Sequence, residues 1–236
     1  AFPAERHGGL FRYPGGDFAP LEIVLGSIQA VREFKIPVVL VGDKEQILTI
    51  LKNNHEENNP LIEIHHASEV IEMGEHPGLA YRKKKDASVS VGARLVRAKE
   101  CGALVAPGST GAAVTAGLLG IGRIKGIERP AILTPIPNEK GRYTYLIDSG
   151  ASAQPKVETY VQNAILGYIY ASKVAGIKNP RIGLLNIGEE DTKGSPLVTE
   201  ANKVLQNQSI IPFSGNAEGR DIMTGEFDVV VTDGFT

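Results

Sequence analysis

Short apolar runs alternate with amphipathic segments along this chain of 236 residues, and glycine-rich turns stand where the runs end. The runs predicted as strands are 37–41, 62–64, 103–106, 131–133, 145–148, 181–187 and 228–232. One segment predicted as a helix begins after Pro20. The other segments predicted as helices are 45–52, 86–100, 112–119, 155–175 and 197–207. Strands alternating with helices predict an α/β fold whose mainly parallel sheet is covered on both faces.

The turns after the strands are the places where such a sheet binds ligands, because its sites lie beyond the carboxyl ends of the strands. They are Gly15-Gly16-Asp17, Pro107 to Gly111, Asp148-Ser149-Gly150, Asn186 to Glu189 and Thr232-Asp233-Gly234. Residues 1–14 show neither alternation nor helical spacing and are predicted to be irregular. Residues 15–236 show no clear linker and are predicted to form a single α/β domain.

Composition narrows the classes of protein. With 42% hydrophobic residues the chain can bury a core, and a net charge of −2 predicts no general attraction to nucleic acid. No run approaches the roughly 20 apolar residues that span a bilayer, and no signal peptide opens the sequence. A single cysteine cannot form an internal disulfide, so we expect a cytosolic protein.

The turn Pro107-Gly108-Ser109-Thr110-Gly111 lies between a predicted strand and a predicted helix. Backbone N–H groups at a helix start form a natural anion site, and the hydroxyls of Ser109 and Thr110 add donors. The alternative, which stays open, is a capped turn without a ligand. The turn is neither a Walker motif nor a dinucleotide fingerprint.

Other groups give weaker signals. Cys101 lacks any surrounding nucleophile motif and is more typical of a small buried residue, while the adjacent His65 and His66 would point to opposite faces of a strand. We therefore predict no metal site and no cofactor. The run from Arg82 to Lys85 is typical of a solvated helix face, with docking of an acidic partner as the alternative.

The order of the turns resembles the PlsX family, the phosphate acyltransferases of bacterial phospholipid synthesis. The blocks that carry the resemblance run collinearly: Gly-Gly-Asp-Phe-Ala-Pro at 15–20, Leu-Val-Gly-Asp at 40–43, Ser-Thr-Gly-Ala at 109–112, 122–131, Leu-Leu-Asn-Ile-Gly-Glu-Glu at 184–190, Gly-Asn-Ala-Glu-Gly-Arg-Asp at 215–221 and Val-Thr-Asp-Gly-Phe-Thr at 231–236. Each block alone is modestly specific, and their shared order is strong support for membership.

The resemblance implies transfer of a fatty acyl group from acyl-(acyl carrier protein) to inorganic phosphate, giving acyl phosphate. It implies a three-layer α/β/α sandwich like that of phosphotransacetylases and isocitrate or isopropylmalate dehydrogenases, and a homodimer. A membrane glycerol-3-phosphate acyltransferase would use the product. We expect a cytoplasmic protein that also associates with the inner face of the membrane.

The sequence departs from the family pattern in several places. The family's first strand, an apolar run before Gly-Gly-Asp, is missing, and Phe11-Arg12-Tyr13-Pro14 stands there instead. Two turn asparagines of the family are replaced by Ser109 and Ser152. The sequence stops at Thr236, inside the family's Asp-Gly-Phe-Thr-Gly-Asn motif, so we expect a C-terminal portion of the family to be lacking.

The motif positions assign candidate roles. Catalytic candidates are Asn186, Lys193, Asn216 and Asp233; candidates for binding phosphate or substrate are Gly16, Asp17, Gly108, Ser109, Thr110, Gly111, Asp148, Gly150, Gly188 and Glu189. Acidic residues at turns also serve simply as helix caps, which is the open alternative for each of them. Two other functions stay open: an enzyme that uses acyl-coenzyme A, and a non-catalytic protein that binds phosphate or carrier protein.

Overall fold

The computed structural model describes residues 9–11, as backbone only, and residues 18–236. Its internal contacts divide the chain into two compact units, Ala1–Lys125 and Gly126–Thr236. Each unit carries its own sheet and its own core.

The first unit is built on a four-stranded parallel sheet in the order β3-β2-β1-β4. Its strands are β1 (Gly9–Phe11), β2 (Val38–Gly42), β3 (Ile62–His66) and β4 (Ala103–Val105). Its helices are α1 (Leu21–Phe34), α2 (Lys44–Asn53), α3 (Pro77–Lys83), α4 (Ser88–Arg97) and α5 (Thr110–Thr115), and α5 continues as a π-type helix over Ala116–Ile121.

Helices cover both faces of this sheet. The side chains of β2 alternate between the two faces, so each face offers apolar residues for a helix to pack on. Val38 and Leu40 pack with α1 and α2 in one apolar cluster. Val41 packs with α4 and Cys101 in another cluster on the opposite face. Asp43 caps the start of α2, since its carboxylate accepts a hydrogen bond from the amide of Gln46 at 2.9 Å.

The second unit is built on a five-stranded sheet in the order β5-β6-β9-β7-β8, parallel except for the β5–β6 hairpin. Its strands are β5 (Leu133–Pro137), β6 (Tyr143–Ile147), β7 (Ile182–Leu185), β8 (Phe213–Ala217) and β9 (Val229–Val231). Its helices are α6 (Val157–Ile169), which continues as a π-type helix over Tyr170–Val174, α7 (Pro196–Gln206) and α8 (Gly219–Thr224).

The centre of the second core is β9, whose three valines are completely buried. A central parallel strand is covered on both faces, which explains why it is a continuous apolar run rather than an alternating one. The helix α6 lies close against it: a Cβ placed on Gly167 would stand 2.6 Å from Cγ1 of Val229. Glycine at this position therefore permits the close approach of helix and strand.

The α/β class with mainly parallel strands is confirmed, although the strands form two sheets rather than the one sheet that the alternation predicts. The prediction of irregular structure for residues 1–14, and with it of a missing first strand, is wrong for Gly9–Phe11, which pair in parallel with both β2 and β4. Three residues are too few to show a period of their own, and their pairing partners are distant in sequence. Whether 15–236 forms a single domain stays a prediction.

Candidate functional site

Parallel pairing brings three of the predicted turns, and the catalytic candidate Asn216, to one edge of the second sheet. Asp148 directly follows β6, Thr232 and Asp233 follow β9, and Asn186 follows β7. Asn216 lies in the last part of β8. Since β6, β9, β7 and β8 are successive neighbours and all run in the same direction, these residues lie along the carboxyl edge that we call the second edge.

Asp148 is a buried carboxylate whose hydrogen-bonding capacity is used by the backbone. Asp148 is only 1% exposed. Oδ1 accepts from the amides of Ile132 (3.0 Å), Gly150 (3.2 Å) and Ala151 (2.9 Å), and Oδ2 accepts from Ser152 (2.9 Å). Four N–H donors compensate the buried charge, so Asp148 shapes the turn 148–152 and holds it against Ile132.

The turn 148–152 packs directly against the turn 232–236. The amide of Gly234 donates to the carbonyl of Ser152 at 2.9 Å, and the amide of Asp148 donates to Thr232 at 3.2 Å. A Cβ on Gly234 would stand 2.8 Å from the backbone nitrogen of Ser152, which leaves no room for a larger residue. The two turns therefore form one connected piece of backbone at the second edge.

Asp233 is the half-buried carboxylate of this piece. It accepts hydrogen bonds from the amides of Phe235 (3.0 Å) and Thr236 (2.6 Å), and a long one from the Tyr160 hydroxyl (3.4 Å). Burial alone would raise the pKa of Asp233, but the hydrogen bonds from Thr236, Phe235 and Tyr160 outweigh it and hold the pKa below its usual range. Burial, together with the nearby charge of Asp233, raises the pKa of Tyr160 to about 12. The pair thus consists of an ionised carboxylate and a neutral phenol at neutral pH.

The loop between β7 and α7 is held by Asn186. Its amide nitrogen donates to the carbonyl of Lys193 at 3.0 Å, and its amide oxygen accepts from the backbone of Ile187 at 2.8 Å. Gly194 has a positive φ of 94°, and a Cβ there would stand 2.5 Å from Oδ1 of Asn186. The loop can close only around a glycine at this position.

Asn216 is directed into the same loop by an irregularity of β8. Between Ile182 and Leu184 of β7 the partner strand advances by three residues instead of two, from Phe213 to Asn216. This bulge re-aims the side chain. Its amide nitrogen donates to the carbonyl of Glu190 at 2.9 Å, and its oxygen accepts from Asn202 of α7 at 2.8 Å.

Charged groups along the loop are mostly acidic. Glu189 forms a 3.5 Å ion pair with Arg220, which also lies 3.2 Å from Glu218. The side chains of Arg220 and Glu189 are largely exposed, so their pair contributes little to stability. Lys193 is exposed, and no described carboxylate pairs with it. Gly188 is buried where the loop begins.

The predicted anion turn belongs to the first unit and follows β4. Ser109 caps α5, since its hydroxyl accepts from the amide of Ala112 at 3.3 Å. Gly108 and Thr110 are exposed. A Cβ on Gly111 would stand 2.6 Å from Cγ of Pro77, so the start of α3 lies against this turn. Gly16 and Asp17 of the same prediction lie outside the described residues.

The weaker candidates occupy structural positions. Cys101 is 4% exposed, and burial followed by the charges of Glu100 and Glu63 raises the pKa of its thiol, which disfavours a nucleophilic thiolate. Across residues 18–236, no group of histidine, cysteine or acidic side chains has the geometry to hold a metal ion. No helix within this range is long and apolar enough to cross a membrane.

Sequence reasoning missed two residues that contact the candidate site, Tyr160 and Asn202. Both lie on helices whose apolar spacing was recognised, but each is a polar residue on the buried face. A polar residue at a position where the helical period calls for an apolar one was the available signal.

Comparison with known proteins places this site in context. The family model described as "Fatty acid synthesis protein" matches residues 13–236. A protein named phosphate acyltransferase from Pelotomaculum thermopropionicum is 49% identical over 221 residues, which are 94% of this chain and 64% of that protein. A protein of the same name from Aquifex aeolicus is 48% identical over 221 residues, 94% of this chain and 65% of that protein. The chain thus spans just under two thirds of the length of these two relatives.

Solved structures share the fold. A phosphotransacetylase from Streptococcus pyogenes matches 98% of this chain and 78% of its own with a TM-score of 0.69 at 14% identity. The phosphotransacetylase EutD from Staphylococcus aureus matches 97% of this chain and 78% of its own with a TM-score of 0.66 at 15% identity. The expected phosphotransacetylase-like α/β fold is therefore confirmed. Because the family model covers nearly the whole chain, and the relatives named here carry the same name, this protein belongs to the fatty acid synthesis protein family, that of the PlsX phosphate acyltransferases.

Proposed function

We propose that the protein transfers a fatty acyl group from acyl-(acyl carrier protein) to inorganic phosphate and so supplies acyl phosphate for phospholipid synthesis. The observation that carries the proposal is the meeting of Asp148, Asn186, Asn216 and Asp233 at the second edge, where a parallel sheet binds ligands. Family membership and the name phosphate acyltransferase of the relatives support the reaction class.

The reaction needs no covalent enzyme intermediate. A phosphate oxygen attacks the carbonyl carbon of the thioester, and a C–O bond forms while the C–S bond breaks. The thiolate leaves with the electron pair of that bond and takes a proton to become the carrier's free thiol. The protein has to position the two reactants and stabilise the negative charge that develops on the carbonyl oxygen.

Donors for that charge are available in the loop at the second edge. Asn186 and Asn216 each commit one amide proton to a backbone carbonyl, which fixes the amide and leaves its second N–H as a donor. Lys193 adds a cation in the same loop, and Gly188 is proposed to contribute by motif position. Asp233, Asp148 and Glu189 would hold backbone and cations in place rather than act as nucleophiles.

The phosphate-binding role proposed for the first unit rests on the turn after β4. Gly108 and Thr110 are exposed, and Ser109 and Gly111 are partly buried. The backbone N–H groups and hydroxyls of these four residues are proposed to hold the phosphate. Gly16 and Asp17 are proposed to contribute by motif position alone. On the second unit, Gly150 is proposed to contribute by motif position, since the N–H groups of the turn 148–152 already donate to Asp148, Thr232 and Ile132.

The wider setting follows from the same proposal. The partners are acyl-(acyl carrier protein), inorganic phosphate, a second copy of the chain in a homodimer, and a downstream membrane glycerol-3-phosphate acyltransferase. We propose that the protein works in the cytoplasm and at the inner face of the membrane, where its product is consumed.

The proposal is tested by incubating the intact protein with acyl-(acyl carrier protein) with and without phosphate. Free thiol is measured, and acyl phosphate is trapped with hydroxylamine as the hydroxamate. We expect thiol release that depends on phosphate and saturates with the carrier, and we expect Lys193→Ala to lower kcat while Lys178→Ala does not. Saturation with acyl-coenzyme A instead would favour the rival enzyme, and phosphate binding without thiol release from any thioester would indicate a non-catalytic protein.

A further inference from the structure

A strongly basic surface of the first unit is formed by α3, α4 and the residues between and after them. The segment 82–99 contains seven lysines and arginines and one acidic residue, in a chain whose net charge is −2. Six of the seven cations are exposed: Arg82, Lys83, Lys85, Arg94, Arg97 and Lys99. We call these six residues the basic surface.

Part of this surface is held together by contacts between the two helices. A guanidinium nitrogen of Arg94 donates to the carbonyl of Lys85 at 2.6 Å, which fixes α4 beside the end of α3. Burial raises the pKa of Tyr81 while the charges of Arg94 and Arg97 act to lower it, so both guanidinium groups lie near that phenol. Arg97 also reaches the carbonyl of Gly120 at 3.5 Å.

The cations of the basic surface are only partly balanced, because the charge of Arg94 acts on Asp86 and the charge of Lys83 acts on Glu75. Within residues 18–236, no ion pair joins any of the six to a carboxylate. The one acidic residue in the segment, Asp86, instead accepts from the amide and hydroxyl of Ser68. The seventh cation, Lys84, is occupied by Glu75 at 2.6 Å. Mutual repulsion among exposed like charges disfavours such a cluster, and a partner with negative charges would relieve this repulsion.

The basic surface adjoins the predicted phosphate turn of the same unit. Pro77, the first residue of α3, lies against Gly111, and the cluster begins at the other end of that helix. A helix of seven residues is about 10 Å long. A partner held on the basic surface would therefore stand about one short helix away from the turn.

Apolar side chains accompany the charges. Leu79 in α3 and Met73 just before it are each 64% exposed. Exposed apolar residues beside unpaired charges are typical of protein interfaces, where apolar contacts supply affinity and charges supply orientation and association rate. Two apolar residues and a helix of seven residues are too little for stable insertion into a lipid surface, which uses longer amphipathic helices.

We propose that the basic surface docks the acidic face of the protein that carries the acyl thioester. This inference rests on the proposed function, because a thioester delivered by a protein requires a docking surface near the site. The partner's carboxylates would pair with the exposed cations, and its apolar residues would contact Leu79.

The test compares two double charge reversals in the intact protein. Arg82→Glu with Lys85→Glu alters the basic surface, and Lys52→Glu with Lys178→Glu makes the same change in net charge at exposed lysines of α2 and of the segment after α6. Binding of holo-(acyl carrier protein) is measured by fluorescence anisotropy, and KM is measured for acyl-(acyl carrier protein), for phosphate and for an acyl-pantetheine. Thermal unfolding checks that all variants fold.

We expect the basic-surface variant to weaken carrier binding and raise KM for acyl-(acyl carrier protein) at least tenfold at low salt, with the control within twofold of the parent. KM for phosphate and for acyl-pantetheine should not change. Equal carrier binding by the two folded variants would overturn the inference, as would loss of binding to anionic vesicles with unchanged carrier binding. If the parent binds the carrier through this surface but releases no thiol, only the proposed function fails.

Discussion

At the scale of single residues, the second edge owes its form to a carboxylate that does not face solvent. Asp148 is 1% exposed and accepts four backbone hydrogen bonds, three from the turn 148–152 and one from the amide of Ile132. The sequence could place this residue at a strand end, but a capping role and a ligand role look alike in sequence. Only the count of donors around the carboxylate shows that it organises backbone.

The first prediction concerns this carboxylate. Asp148→Asn should destabilise the fold by about 2–3 kcal/mol, because one amide nitrogen would then face backbone donors that need an acceptor. Unfolding in urea measures the change. Asp191→Asn, an exposed residue of the loop after β7, is the control and should stay within about 0.5 kcal/mol of the parent. Equal stability of the two variants would contradict the role of Asp148.

The second prediction concerns Tyr160, whose pKa is raised to about 12 by burial and by Asp233. The unfolded chain loses this proton near pH 10, so the contribution of Tyr160 to stability is intact below that pH and is lost between about pH 10 and 12. NMR of ring-labelled tyrosines should show the resonance of Tyr160 titrating near pH 12, about two units above a tyrosine of the unfolded chain. Tyr160→Phe should remove this resonance, and titration of Tyr160 near pH 10 would refute the assignment.

At the scale of elements, the sequence was most informative where the pattern was long. The helices α1, α2, α4, α6 and α7 and the strands β2, β3, β4 and β9 were each predicted within a few residues. The strand β8 was missed because Phe-Ser-Gly-Asn-Ala lacks the β-branched residues of an ordinary strand, and its bulge breaks alternation. The helix α3 was missed because its seven residues contain two helix-disfavouring ones, Pro77 and Gly78.

The third prediction uses two glycines of one helical segment. Gly111→Ala would bring a Cβ to 2.6 Å from Pro77, so we expect a loss of about 1–3 kcal/mol and weaker phosphate binding. Gly117→Ala meets no atom within 4 Å and should be neutral or stabilising by up to about 1 kcal/mol. Thermal unfolding and phosphate titration by calorimetry measure both. The same effect from both substitutions would show that α3 does not press on the turn.

The fourth prediction concerns the contact between α7 and the loop after β7. Asn202 is completely buried, and its amide nitrogen holds the oxygen of Asn216, while its own oxygen has no hydrogen-bond partner among the described residues. Asn202→Ala would leave the oxygen of Asn216 unpaired at a cost of about 1–3 kcal/mol.

Hydrogen exchange of individual amides shows which part of the structure Asn202→Ala destabilises. We expect the amide of Lys193, which donates to Glu190, to exchange faster in Asn202→Ala, because Asn216 then holds Glu190 less firmly. The control is Lys203→Ala at the next, exposed position of α7. Unchanged protection of the loop in Asn202→Ala would mean that Asn216 is held without its partner.

At the scale of the whole molecule, the order of the turns was the strongest signal in the sequence. Each turn alone predicted only a strand end, whereas their collinear order indicated the family that the comparisons then showed. The division into two sheets was not predicted, because the alternation of strands and helices does not specify which strands pair. The sequence does indicate a turn around Asn138–Gly141 between two strands, and β5 and β6 pair there as an antiparallel hairpin.

The fifth prediction is the central one, that phosphate itself receives the acyl group. The intact protein is mixed with acyl-(acyl carrier protein) and ³²P-labelled phosphate, and labelled acyl phosphate and free carrier thiol are counted in the same reaction. The account predicts equal amounts of the two products at every time point and neither product when the protein is omitted. Release of carrier thiol without labelled acyl phosphate, with free fatty acid as the product, would contradict it.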